Sequence, residues 1–177
     1  MEYDRIVVGV DPAVTGRSGS SETGIIIAGS LLQKIGQHNR PITYAHVLDD
    51  FSLRGTPIEW AQAAVRAYYQ YQAHLMVAEV NNGGDLVEQV IRTVAPEIAY
   101  KPVRASQGKL ARAEPISSLY EQGRVFHARP LIKLEEQMCT YSPNRSLASP
   151  DRLDALVWAL TELMLGQQAR LMEVWEI

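Results

Sequence analysis

Four acids stand where acids are costly or conspicuous. Asp11 closes the apolar run Ile6–Val10. Glu79 sits near the end of another apolar run, in "LMVAEVNNGG". Asp151 and Asp154 open the segment "SPDRLDALVWAL". A buried carboxylate is costly without a partner, so Glu79 calls for one; a salt bridge or an exposed strand end answers that need as well as a reaction does. Turn chemistry accounts for Asp11 followed by Pro12. The proline also biases Asp11 to extended backbone, which holds its carboxylate at the strand's edge. Asp151 in a first helical turn complements the helix dipole. Asp154 lies three residues on, on the same face, and borders the apolar stripe Leu153, Leu156, Val157 and Leu160.

Brought together, such acids repel. At ~4 Å a like-charge pair costs on the order of 4 kcal/mol at an effective dielectric near 20. Hard divalent cations relieve that repulsion and favour oxygen ligands, with Mg²⁺ and Mn²⁺ the natural candidates. Two such ions about 3.5–4 Å apart can activate water and stabilise the leaving oxygen in phosphodiester cleavage.

The elements that must position these acids follow from periodicity and punctuation. Ile6–Val10, Gly24–Leu32 and Pro41–Phe51 read as strands, the last two joined by a polar hairpin link, "QKIGQHNR". Thr56–Gln72 reads as a helix with Pro57 at its first position. Leu75–Val80 is a short buried strand bounded by "NNGG". Asp85–Ala95 is helical and stopped by Pro96; Glu97–Val103 is another strand. Lys109–Gln122 is a helix with Gly123 beyond its end, "VFH" one more extended piece, and Leu131–Thr140 a helix. Pro150–Leu165 is a helix with Ser149 as cap. Helices between strands imply parallel crossovers. The expected fold is α/β: a mixed five-stranded sheet, three strands antiparallel and then two parallel, with helices on both faces. Ligands gather at the carboxyl ends of such strands, where Asp11 and Glu79 meet if their strands are adjacent. A last helix packed across the sheet could deliver Asp151 and Asp154 there.

A chain of 177 residues is enough for one substantial core, and a single domain, 1–177, is the expectation. The net charge of −3 argues against a basic nucleic-acid coat but not against a local basic groove. Cys139 alone makes no disulfide framework, which fits a reducing compartment. No apolar run approaches the ~20 residues that span a bilayer, and Glu2 and Asp4 stand where a signal peptide would be basic.

"IVVGVDPA…SETGIIIAG", "VAEVNNGGDLV", "SQGKLARAEPISSLYEQGRVFH" and "SPDRLDALVWAL", in that order, resemble the nuclease domain of the tailed-phage or prophage terminase large subunit. That family belongs to the ribonuclease H-like superfamily, with the RuvC-type resolvases. The resemblance runs from about Arg5 to Leu165. It implies an endonuclease that cuts concatemeric viral DNA during packaging, in the cytoplasm of a bacterial host, with the portal protein and the small terminase subunit as partners beside double-stranded DNA. By resemblance, Asp11 is the first-strand acid, Glu79 the fourth-strand acid, and the last helix supplies the third. Both Asp151 and Asp154 are carried, Asp154 as the stronger choice. The family's packaging ATPase is missing, since no G-x-x-x-x-G-K-[ST] loop occurs. With the abrupt start "MEYDRIVVGVD", that fits a C-terminal fragment better than a free-standing nuclease.

"KPVRASQGKLAR" carries Lys101, Arg104, Lys109 and Arg112 and no acid. Cations beside an acidic site hold backbone phosphates without reading sequence; a solvated helix start is the plainer account. The resemblance also puts Lys109 and Arg112 at the active-site edge. Asn81 and Asn82 could touch a phosphate or simply form a turn. Arg17, Ser18 and Ser20 lie in a loop that could follow DNA. His127 suits a structural role better than a metal ligand or proton shuttle, and Trp60, Tyr68, Tyr69 and Tyr71 suit core and surface filling better than base stacking. Three other readings stay open. One is a RuvC-like Holliday junction resolvase. Another is an actin-like or sugar-kinase ATP-binding fold, for which a second domain and an adenosine loop are lacking. The third is a non-catalytic portal or motor docking module, which intact acids argue against.

Overall fold

The computed structural model describes residues 2–13, 22–35, 40–80, 84–142 and 150–166. In chain order the elements are β1 (Arg5–Asp11), β2 (Glu22–Ile35), β3 (Arg40–Asp50), β4 (Leu53–Arg54), α1 (Pro57–Gln70), β5 (Leu75–Glu79), α2 (Gly84–Val94), β6 (Tyr100–Val103), α3 (Lys109–Glu121), β7 (Val125–His127), α4 (Ile132–Thr140) and α5 (Asp151–Leu160). A π-helical turn, Thr161–Leu165, continues α5. Among the described residues, no helix is long and apolar enough to cross a membrane.

The strands form one mixed sheet in the order β6-β5-β1-β2-β3-β7, with β4 paired to β2. β1, β2 and β3 run antiparallel to their neighbours in that series, while β5, β6 and β7 join by parallel pairing. The architecture is the mixed α/β sheet that the sequence predicts, with seven strands in place of five. One of the two further strands is Val125–His127, the extended piece "VFH", which pairs with β3; the other, Leu53–Arg54, is too short for an alternating pattern to declare itself. β2 also runs on through Gln33, Lys34 and Ile35, which the sequence reading put in the hairpin link.

The apolar run of β1 is continuous because both of its faces are covered. Val7 joins Ile26, Ala28, Ala45 and Val47 in a core against α3, α4 and α5. Val8 and Val10 join Ile25, Ile27, Leu48 and Met76 in a second core, against α1 and α2. α5 lies unusually close to the sheet, and two glycines allow it. A Cβ on Gly9 of β1 would stand 2.2 Å from the carbonyl oxygen of Ala155, and one on Gly24 of β2 would stand 1.9 Å from that of Asp151. Gly24 is the cross-strand partner of Asp11. The first turn of α5 therefore rests beside the end of β1.

Arg152 pins that turn from the other side. Buried at 5% exposure, it pairs with Glu22 of β2 and donates from Nε to Asp50 Oδ2 of β3 at 2.8 Å. Replacing it by alanine leaves two acids without their cation. Arg152→Ala is expected to cost about 3–5 kcal/mol. The check is the midpoint of urea unfolding; a midpoint at the parent value would show the pairs to be idle.

Candidate active site

β1 and β5 are adjacent and parallel, with Val10 opposite Ala78. The next residue in each strand is an acid, so Asp11 and Glu79 leave the sheet side by side at its carboxyl end. α5 crosses that end on its glycine seat. Asp154, in its first turn, is 4% exposed and pairs with Lys109 at the start of α3. Arg112, one turn further along α3, reaches both acids. Its Nη1 lies 3.3 Å from Glu79 Oε2 and its Nη2 lies 3.7 Å from Asp154 Oδ1. Trp158 of α5 closes the arrangement. Its indole Nε1–H donates to Glu79 Oε2 at 2.7 Å, and the Arg112 guanidinium lies 4.7 Å from its ring centre.

The titration of these groups reports one shared field. Burial first, then the charges of Asp154, Glu79 and Asp151, push the Asp11 carboxyl up to about 8, against the pull of Lys109. Burial likewise raises Asp154, and Glu79 adds to the rise, while Lys109 and Arg112 oppose it. Burial pulls the Lys109 ammonium down. Its bond to Asp154, with the charges of Asp154, Asp11 and Asp151, outweighs that and holds it above the usual lysine value. A lysine at a helix start, with no acid in that turn, opposes the helix dipole. Its position is explained by the carboxylates it faces.

All four acids thus act on the same spot. Lys109 and Arg112 belong to it as well. Lys101 does not, although it shares their basic run. It sits on edge strand β6, and its Nζ lies 2.7 Å from Glu162 Oε2 in the π-helical turn. Arg5, which opens β1 at the end remote from Asp11, shares that acid. Arg104 is exposed in the connection from β6 to α3. Arg17, Ser18, Ser20, Asn81 and Asn82, and the cap Ser149, lie outside the described residues. His127 bonds Tyr120 Oη and Glu135 Oε1, each at 2.8 Å, which is a structural role. Trp60 is buried in the core, Tyr69 is exposed, and Tyr71 donates its hydroxyl to Asp49. Trp158 and Arg152 are the participants that sequence reasoning passed over. A signal for Trp158 existed: a donor-only indole in an apolar stripe, four residues after an acid, needs an acceptor.

The donor set is all oxygen, which fits hard divalent cations. Among the described residues, however, no group of three or more His, Cys, Asp or Glu side chains is gathered so that it could hold a metal ion. The acids share a field without closing into a cage, and Lys109 and Arg112 engage two of them. The chemistry of the carboxylates fits a divalent cation; in the structure Glu79 and Asp154 are paired with Lys109 and Arg112.

The sequence profile described as the terminase RNaseH-like domain matches residues 8–163. Among solved structures, the large terminase nuclease of thermophilic phage G20c is similar in fold. Its cobalt-bound form aligns with a TM-score of 0.64 at 13% identity, over 89% of this chain and 81% of that one. Its magnesium-bound form aligns at 0.59 with the same identity and coverage. The yeast mitochondrial Holliday junction resolvase Ydc2 aligns at 0.52 with 6% identity, over 86% of this chain and 75% of that one. At such identities the likeness speaks for the fold. No curated protein matches the chain significantly.

Proposed function

The chain belongs to the terminase RNaseH-like domain family, nuclease domains of the ribonuclease H-like type, and from that premise we propose that it is a divalent-metal-dependent endodeoxyribonuclease that cuts concatemeric viral DNA during packaging. One observation carries this reading beyond the family. Asp11 and Glu79 end adjacent parallel strands, and Asp154 shares their field closely enough to help push Asp11 up to about 8.

In this reading Asp11, Glu79 and Asp154, with Asp151 assisting, hold two Mg²⁺ or Mn²⁺ ions. Such ions, when bound, lower the pKa of a water and stabilise the charge on a leaving 3′ oxygen. The fold-level relative from phage G20c has been solved with zinc, cobalt and magnesium, in keeping with a divalent requirement. Lys109 and Arg112 neutralise the acids until then. Once these acids have other counter-charges, both cations can turn to the phosphate oxygens of DNA at the same place. Arg104, exposed in the connection from β6 to α3, extends that contact along the backbone.

The resolvase reading shares the chemistry and has the fold likeness to the yeast enzyme in its favour. Preference for a four-way junction over a linear duplex separates the two.

The test is plasmid cleavage by the purified chain with Mn²⁺, Mg²⁺ or EDTA. Nicking or linearisation that needs the metal is expected; a folded chain that cuts under none of these conditions overturns the nuclease reading. The cations give a second measurement. Arg104→Ala is expected to weaken duplex binding and to reduce the slope of log K against log salt by about one. Lys101→Ala, whose side chain serves Glu162, is expected to leave that slope unchanged. Equal effects of the two substitutions would move the DNA path towards β6.

A further inference from the structure

Glu79 is the acid with the longest side chain in the site, and holding such a side chain in one rotamer costs conformational entropy. A donor fixed in space can offset that cost. We propose that Trp158 is a positioning residue of the active site: its indole N–H fixes the Glu79 carboxylate, and its ring holds Arg112 across Glu79 and Asp154. The inference rests on the nuclease reading above.

The geometry is specific. The Nε1···Oε2 distance of 2.7 Å falls in the range of charge-assisted hydrogen bonds and below the common N–H···O value of about 2.9–3.0 Å. Arg112 donates to the same oxygen, Oε2, at 3.3 Å. An indole is a donor only and does not titrate, so it orients the acid without competing for a cation. Trp158 is 8% exposed and belongs to the same core as Leu156 and Leu160. The position of its N–H is therefore set by the core. A guanidinium within about 6 Å of a tryptophan ring centre is attracted to its face, and Arg112 lies inside that limit.

Register adds a further point. Trp158 follows Asp154 by one helical turn and shares its face. α5 therefore carries both an acid and the group that aligns the acid opposite. Any displacement of this helix moves both sides of the site together. A tryptophan that only filled the core would leave metal affinity untouched when its N–H was removed.

The experiment compares the full chain with its Trp158→Phe, Glu79→Gln and Asp11→Asn variants. Mn²⁺ affinity is measured by titration calorimetry, and the indole N–H resonances are recorded on ¹⁵N-labelled protein without metal. Trp158→Phe is expected to melt cooperatively and to bind Mn²⁺ about 10–100-fold more weakly. Of the three tryptophan resonances, Glu79→Gln is expected to move the one that Trp158→Phe lacks. Parent-like Mn²⁺ affinity in Trp158→Phe, beside lost affinity in Asp11→Asn, overturns the positioning role and leaves the nuclease reading intact. A folded parent chain that neither binds Mn²⁺ nor cuts DNA overturns both. If Trp158→Phe does not fold, the parent spectrum decides: an indole resonance moved by Glu79→Gln supports the role, and three unmoved resonances overturn it.

Discussion

Asp11→Asn is expected to lower metal-dependent cleavage to the level seen with EDTA and, in the same protein, to raise the melting temperature at pH 8. The two effects have one origin. Asp11 ordinarily titrates near 3.8 and is pushed up to about 8 in the folded chain, by burial first and then by Asp154, Glu79 and Asp151. Well below pH 3.8 the folded and unfolded chains both hold the proton, and the group does not disfavour folding. As the pH rises, the unfolded chain releases its proton while the folded one keeps it. The balance moves towards unfolding until the pH passes about 8, above which both states are ionised. At ~1.4 kcal/mol per pKa unit the cost at pH 8 is on the order of 5 kcal/mol at most.

Asparagine keeps the shape and removes that cost. Melting curves at pH 4.5, 6 and 8 without divalent ions should show the variant close to the parent in acid and increasingly above it towards pH 8. Adding Mg²⁺ should raise the parent, because a ligand that binds only the folded state stabilises it, and should leave the variant where it was. A gap of the same size at every pH would remove the field described for Asp11, and full cleavage by the variant would remove the site.

Gly24→Val should disable the chain by a different route. The added Cβ meets the Asp151 carbonyl oxygen at 1.9 Å, with Asp151 C at 2.5 Å and Ala155 Cβ at 3.0 Å. None of these is the end of a flexible side chain, so α5 itself must rise from the sheet. Overpacking of this kind costs about 1–3 kcal/mol, sometimes more. Activity should fall further than stability. Asp151 and Asp154 ride on the displaced turn, and a shift of ~1 Å can cost about a hundredfold in rate. Gly166→Ala is the comparison, because its nearest neighbours lie at 3.7 and 3.9 Å; it should be close to neutral. Cleavage per folded molecule, normalised by the unfolding curve, distinguishes the two variants. Parent-like cleavage by Gly24→Val would mean that the helix seat does not set the site.

The acids were legible in the sequence because a carboxylate that ends an apolar run is conspicuous, and Pro12 and "NNGG" mark where those runs stop. Pairing of the Asp11 strand with the Glu79 strand stays a condition in the sequence, and the structure meets it. Other features were hidden for physical reasons. Lys101 and Lys109 look alike in one basic run, yet an edge strand directs the first to Glu162 and a helix start directs the second to Asp154. Trp158 reads as part of an apolar stripe, since a sequence does not say where an indole N–H points. Arg152 stands between two acids of interest, and its partners, Glu22 and Asp50, are more than a hundred residues distant. The strand β4 carries too few residues to show a period.

The glycine seat of α5 also has a meaning in time. β1 and β5 bring Asp11 and Glu79 together within the first 79 residues, but Asp154 comes about 75 residues later. At ~5–20 residues per second of synthesis, that interval lasts about 4–15 s. For that interval the nascent chain on the ribosome holds two of the four acids of the candidate site. It gains the rest only when the last helix settles on Gly9 and Gly24, so on the proposed nuclease reading a chain cut short before that helix is expected to be inert.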